Sequence, residues 1–165
     1  MESIPAPDCH FLNAAQGWLE LGNAAEARLE WRGVSETHQS HPEVIETLWR
    51  IQAAEKEWDE ALLTAQRLVD HSPGSPSGWI HQSYTLHELR RTQDAHDKLV
   101  RVAKRFDTIS TIPYNLACYQ CQLGDLDAAR NWLERAMKIQ GRDSIREMAL
   151  TDADLKPLWP ELRNL

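Results

Sequence analysis

Two thiols three residues apart, Cys118 and Cys121, carry the sharpest chemical signal in this chain. C-x-x-C spacing serves redox exchange where a helix N-terminus inside a βαβ unit lowers a thiol pKa. It serves zinc where two more ligands complete a tetrahedron, and His81 and His87 are the candidates. Neither use is favoured here. The pair falls in the middle of a helical pattern, it occurs once, and cysteine is a common small apolar filler. His38-x-x-His41 sits at a joint between helices with no third ligand nearby and reads as a surface loop. His87-Glu-Leu-Arg-Arg91 begins like a zinc-protease helix, but Arg91 stands where the second histidine belongs. Gly17 to Gly22 has phosphate-loop spacing without the lysine that must follow. Gly74-Ser-Pro-Ser-Gly78 puts Pro76 where a nucleophilic serine would stand. Asp152 and Asp154 lack calcium-loop spacing. The residues therefore predict no catalytic group, no metal and no cofactor.

The elements that carry these residues are helices of one repeating kind. Ser110 to Ala136 reads as two apolar helical runs around a turn, Leu123-Gly124-Asp125, and the second run holds Ala129. Steps of 34 residues toward the N-terminus meet Ala95, Ala61 and Ala27 without gap or insertion. A fixed period of this length marks a repeat array. Other columns keep the same phase. Phe11, Ile45, Trp79 and Pro113 open the first helices; Trp31, Ala65, Leu99, Leu133 and then Val34, Leu68, Val102, Ala136 continue the apolar stripe of the second helices. Gly22 and Gly124 supply turns, and Lys56 and Arg90 hold that place in the middle repeats. Asp8 and Ser75 are candidate N-caps.

With 165 residues and 42% hydrophobic content the chain can bury a core, which argues against disorder. The net charge of −7 argues against a nucleic-acid backbone as partner and favours neutral or basic ones. The start, MESIPAPDCH, does not read as a signal peptide, and no apolar run has the length of a membrane span. Three cysteines fit reduced thiols, hence a cytoplasmic setting. The expected organisation is a flexible lead over 1–7 and four units at about 8–41, 42–75, 76–109 and 110–143. Capping helices over 144–165 then close the open end of the stack.

Tyr114-Asn115-Leu116-Ala117-Cys118-Tyr119, Leu123-Gly124-Asp125, Ala129 and Ala136 resemble the tetratricopeptide repeat family, and the four-fold phase extends that resemblance over residues 8–141. The closing TDADLKPLW segment looks, more loosely, like the tails of bacterial arrays of this type. The resemblance implies an all-α fold: a right-handed superhelix of four antiparallel helix pairs, with first helices lining a concave groove and no catalytic residues. Carried onto this sequence, the groove holds Leu12, Asn13, Glu43, Glu46, Arg50, Ile80, His81, Tyr84, His87, Tyr114, Asn115, Cys118 and Cys121. Relatives that grip a chaperone's terminal carboxylate use basic groove residues, but these places hold Leu12, Glu46, Ser77 and His81. A peptide or helix with apolar anchors and basic flanks fits better. The implied job is a protein-binding scaffold with no nucleic-acid or membrane partner. The rival is a self-assembling structural protein pairing copies through Trp132 and Trp159. The bland alternative for the groove is that its side chains meet solvent or the chain's own cap.

Overall fold

The computed structural model describes residues 3–164. Ten α-helices follow one another among them: α1 (Asp8–Glu20), α2 (Ala24–Trp31), α3 (Pro42–Ala54), α4 (Trp58–His71), α5 (Pro76–Glu88), α6 (Thr92–Val100), α7 (Thr111–Leu123), α8 (Leu126–Gln140), α9 (Arg142–Thr151) and α10 (Trp159–Leu162). Two 3₁₀ segments, Glu36–His38 and Ala153–Leu158, complete them, and the described residues contain no strand. None of these helices is long and apolar enough to cross a membrane.

One turn is built four times. Its backbone is left-handed at Gly22 (φ 74°), Lys56 (φ 60°), Arg90 (φ 63°) and Gly124 (φ 89°). The next amide reaches back over the helix end each time: Asn23 to the Trp18 carbonyl, Glu57 to Gln52, Arg91 to Leu86 and Asp125 to Gln120, all at 2.8–2.9 Å. That six-residue closure is the Schellman arrangement, and it satisfies carbonyls that a helix end leaves orphaned. The following helix starts with a side-chain cap at Asn23 and at Asp125, which accept from the Glu26 and Ala128 amides. Beyond each left-handed residue, in the first turns of the helix that follows, lies an alanine of the column. Ala27, Ala61, Ala95 and Ala129 are each 0% exposed, the condition expected where two helices cross closely.

The chain divides into two compact units, 1–85 and 86–165, and α5 carries the division. In the first, α1 packs with α2 and α3, and α3 with α4. Leu12, Val34 and Val44 form one core cluster, with Ile4, Phe11 and Trp31 against it; Trp49, Ala61 and Ala65 form another. Gly78 lets the start of α5 approach the backbone of α4 at Leu68 and Val69. In the second unit α7 packs against α6 and α8, and α9 against α8. The 3₁₀ segment returns to α7, held by Leu155, Leu158 and, just beyond, Leu162, all buried.

One local expectation is corrected. Asp8 does not cap α1: Pro7 holds that position with no side-chain cap. The Asp8 carboxylate instead accepts from the Ser35 hydroxyl and from His38 Nδ1, because two tertiary donors outcompete a local amide. Of the expected lead over 1–7, Met1 and Glu2 lie outside the described residues, and Ile4 packs on the first core cluster.

Candidate functional site

In the first unit, α1, α3 and α5 supply the face that the repeat phase nominates. Gln16 of α1 donates to the Thr47 hydroxyl of α3 at 3.2 Å, which ties the two helices side by side. Trp49 then organises the α3–α5 side. Its ring stacks on His81, centroids 3.7 Å apart and 12° from parallel, and its indole N–H donates to Thr85 Oγ1 at 3.0 Å. His81 Nε2 faces Glu46 Oε1 at 3.2 Å. Tyr84 meets Trp49 and Trp58 edge-on, at 6.2 and 6.1 Å between centroids, and keeps 38% of its surface exposed. Asn13 and Glu43 are exposed, and Glu46, Arg50 and Ile80 are half-buried. The His81 hydrogen bond, chiefly, holds the Glu46 carboxyl below its ordinary range against the opposing effect of burial. This face thus offers an aromatic platform beside a carboxylate held in its ionised form.

Leu12 does not share in it. At 3% exposure its side chain belongs to the core with Val34 and Val44, and Ile4 packs on the same cluster.

In the second unit the nominated residues meet the chain's own C-terminal segment. Tyr114 donates its hydroxyl to Asp152 Oδ2 at 2.9 Å, and the Cys118 thiol reaches the same oxygen at 3.6 Å. His87 Nε2 lies 2.9 Å from Asp154 Oδ2, with Nδ1 at 3.0 Å from Thr92 Oγ1. Gln122 donates to the Asp154 carbonyl at 3.0 Å. Tyr114 is 7% exposed, and His87, Cys118 and Cys121 are buried too; Asn115 is half-buried. Burial first, then the Asp152 and Asp154 charges, pushes the Cys118 thiol far up; burial and the same two carboxylates raise Cys121. A thiolate is thereby disfavoured, which opposes nucleophilic chemistry at either sulfur. Among the described residues no group of three or more His, Cys, Asp or Glu is placed to hold a metal ion.

Other nominated residues are also committed. His38 binds Asp8, and His41 Nδ1 accepts from the Glu43 amide at the start of α3. Ser35, His38 and Asp8 look like a catalytic trio in composition only. The serine and the carboxylate both lie on the Nδ1 side of the ring, so no base faces the hydroxyl through the other nitrogen. Arg135 lies over Trp132, and Arg163 over Trp159, whose indole N–H also donates to the Ala149 carbonyl.

Sequence reasoning missed several participants. Trp49 stands out in the sequence only by its size in a column with Ala15, Ser83 and Ala117. Trp58 shares its column with Ala24, Thr92 and Leu126, all smaller and none aromatic. Asp152 and Asp154 lie outside the repeat, where phase gives no guidance.

No family model and no curated protein matches the sequence. Solved structures do match. A thermophilic TPR protein from Thermus thermophilus is 17% identical over 96% of this chain and 100% of that one, with a TM-score of 0.75. MamA from Desulfovibrio magneticus RS-1, residues 41 to the end, is 14% identical over 98% and 94%, with a TM-score of 0.72. MamA of strain AMB-1 is 13% identical over 96% and 98%, with a TM-score of 0.66. At these identities the likeness is one of fold: an all-helical, tetratricopeptide-type solenoid.

Proposed function

We propose that this chain, with its tetratricopeptide fold, is a non-catalytic protein-interaction scaffold that seats a peptide or helix of a partner on the first-helix face of residues 1–85. The observation that carries this reading is the contrast between the two units. Tyr84 stays 38% exposed on its Trp49–Trp58 platform, whereas Tyr114, on the matching face of α7, is down to 7% under the chain's own tail. Aromatic residues on a concave helical surface are efficient anchors for a docked segment, since they bury much area at little conformational cost.

The test is site-specific photo-crosslinking in the native cell. A photoreactive residue at Asn13 or Ile80 should give adducts with one discrete partner, and the Tyr84→Ala substitution should remove them while the far-UV circular dichroism is unchanged. Adducts that form equally from exposed Asp143 of α9, or that survive Tyr84→Ala, would remove the assignment to this face.

A further inference from the structure

The seated segment's charge can be read from the same two faces, given the docking reading above. We infer that the first unit's face is built for a basic segment, one carrying Lys or Arg beside its apolar anchors. Residues 1–85 contain 13 Asp and Glu against 5 Lys and Arg, a formal balance of −8. Residues 86–165 contain 12 against 13, a balance of +1, so the chain's negative balance resides in the first unit. Of the five cations there, Arg28 is already neutralised by Glu55 and Glu57.

The second unit supplies an internal example of what such a face recognises. There α7 and the end of α5 present donors (Tyr114 hydroxyl, Gln122 amide, His87 imidazole), and the segment lying on them, Thr151 to Asp154, is acidic. Position 114 falls in the column 12, 46, 80, 114. In the first unit that column places Glu46 on α3, a carboxylate that only accepts and already faces His81 Nε2 at 3.2 Å, with Glu43 exposed a turn before it. One structural position thus presents a donor where the ligand is an acid, and an acid where the ligand is unseen. Complementarity then calls for a donor-rich, cationic occupant. The exposed Tyr84, linked to Glu46 through Trp49 and His81, suits the stem of a Lys or Arg, whose charge is also attracted to an aromatic face. Charges beyond about 8 Å are largely screened at physiological salt, so Glu43 and Glu46 should matter more than the unit's total.

Phage-displayed random dodecapeptides selected on the immobilised full chain, with the Tyr84→Ala chain as counter-selection, test this. The enriched peptides should carry Lys or Arg flanking an apolar residue. A fluorescein-labelled consensus peptide should bind about tenfold more weakly to Glu43→Gln/Glu46→Gln, as expected for the loss of two partly exposed ion pairs. Its affinity for Asp143→Asn/Glu147→Gln, an equal charge change on exposed residues of α9 in the other unit, should stay within about twofold, since the contact depends on Glu43 and Glu46 and not on total charge. Equal losses from both pairs would mean diffuse attraction and overturn the inference. Enrichment of neutral or acidic peptides that still depend on Tyr84 would overturn it while leaving the docking face intact. Failure to enrich any Tyr84-dependent peptide, together with failed crosslinking, would remove both.

Discussion

Replacing Gly78 by alanine should destabilise the protein, although the usual helix rule predicts the opposite. Gly78 is the third residue of α5, and glycine in a helix is ordinarily worse than alanine by about 0.5–1 kcal/mol. Here an added Cβ would lie 2.8 Å from the Val69 backbone nitrogen, 3.0 Å from Val69 Cγ2 and 3.1 Å from the Leu68 carbonyl carbon. Two of those three atoms are backbone of α4, which cannot rotate away. The clash must be relieved by moving α5 off α4, and overpacking of this kind costs about 1–3 kcal/mol, more when rigid groups are involved. Set against the small propensity gain, the net loss should be about 2 kcal/mol, or roughly 4–8 °C in Tm for a chain of this size. Gly17 is the matched control. It lies inside α1 with nothing within 4 Å of its would-be Cβ. Gly17→Ala should therefore raise Tm, by the about 0.5–1 kcal/mol of the ordinary rule. Thermal melts followed by circular dichroism in the far ultraviolet read both. If Gly78→Ala stabilises as much as Gly17→Ala, α5 does not approach α4 as described, and the α3–α5 geometry of the candidate face goes with it.

Gly124→Ala should cost about 1 kcal/mol through backbone conformation alone, because its added Cβ meets no atom within 4 Å. Lys56→Gly, at the same turn with φ 60°, should raise Tm rather than lower it; a fall would mean that the lysine side chain contributes more than the left-handed backbone costs. Ala61→Leu, at a fully buried crossing, should lower stability by about 1–3 kcal/mol, and a Tm unchanged from the parent would contradict the packing of α4. Glu46 has a folded-state pKa below its ordinary 4.5, so its stabilising effect is full above that pH and is lost as pH falls through the lower value; Glu46→Gln should flatten the fall in urea midpoint between neutral pH and the acid side of 4.5, and an unaltered slope would refute the His81 contact. Iodoacetamide at mildly alkaline pH should modify half-buried Cys9 well before Cys118, which should react only on unfolding; equal rates would show that the tail does not cover α7.

The periodic part of the fold was legible because each unit repeats the same physical problem. A close helix crossing tolerates only a methyl group, so Ala27, Ala61, Ala95 and Ala129 keep register through otherwise divergent units. The turns were half legible. Gly22 and Gly124 announce a left-handed residue, while Lys56 and Arg90 adopt the same backbone at a cost that their side chains do not advertise. The sequence columns also nominated a face, but a column records which way a helix points and not what comes to lie on it. Leu12 shares a column with Glu46, Ile80 and Tyr114, yet it is buried in a core cluster to which Ile4 adds. Tyr114, His87 and Cys118 are met by Asp152 and Asp154 from more than thirty positions away. Asp8 shows the same limit at shorter range: a residue type that suits a helix start was drawn to Ser35 and His38 by the folded chain.

The pairing of His87 with Asp154 spans 67 positions. Helical arrays are otherwise held by contacts between neighbours, so their end helices can peel away one at a time. A strap from the far end back to His87, at the start of residues 86–165, removes that freedom: α9 cannot fray without also uncovering α7. Amide protons of α9, which would exchange quickly at a free solenoid end, should instead be shielded to the same degree as those of α7, and that half of the molecule should melt in a single step.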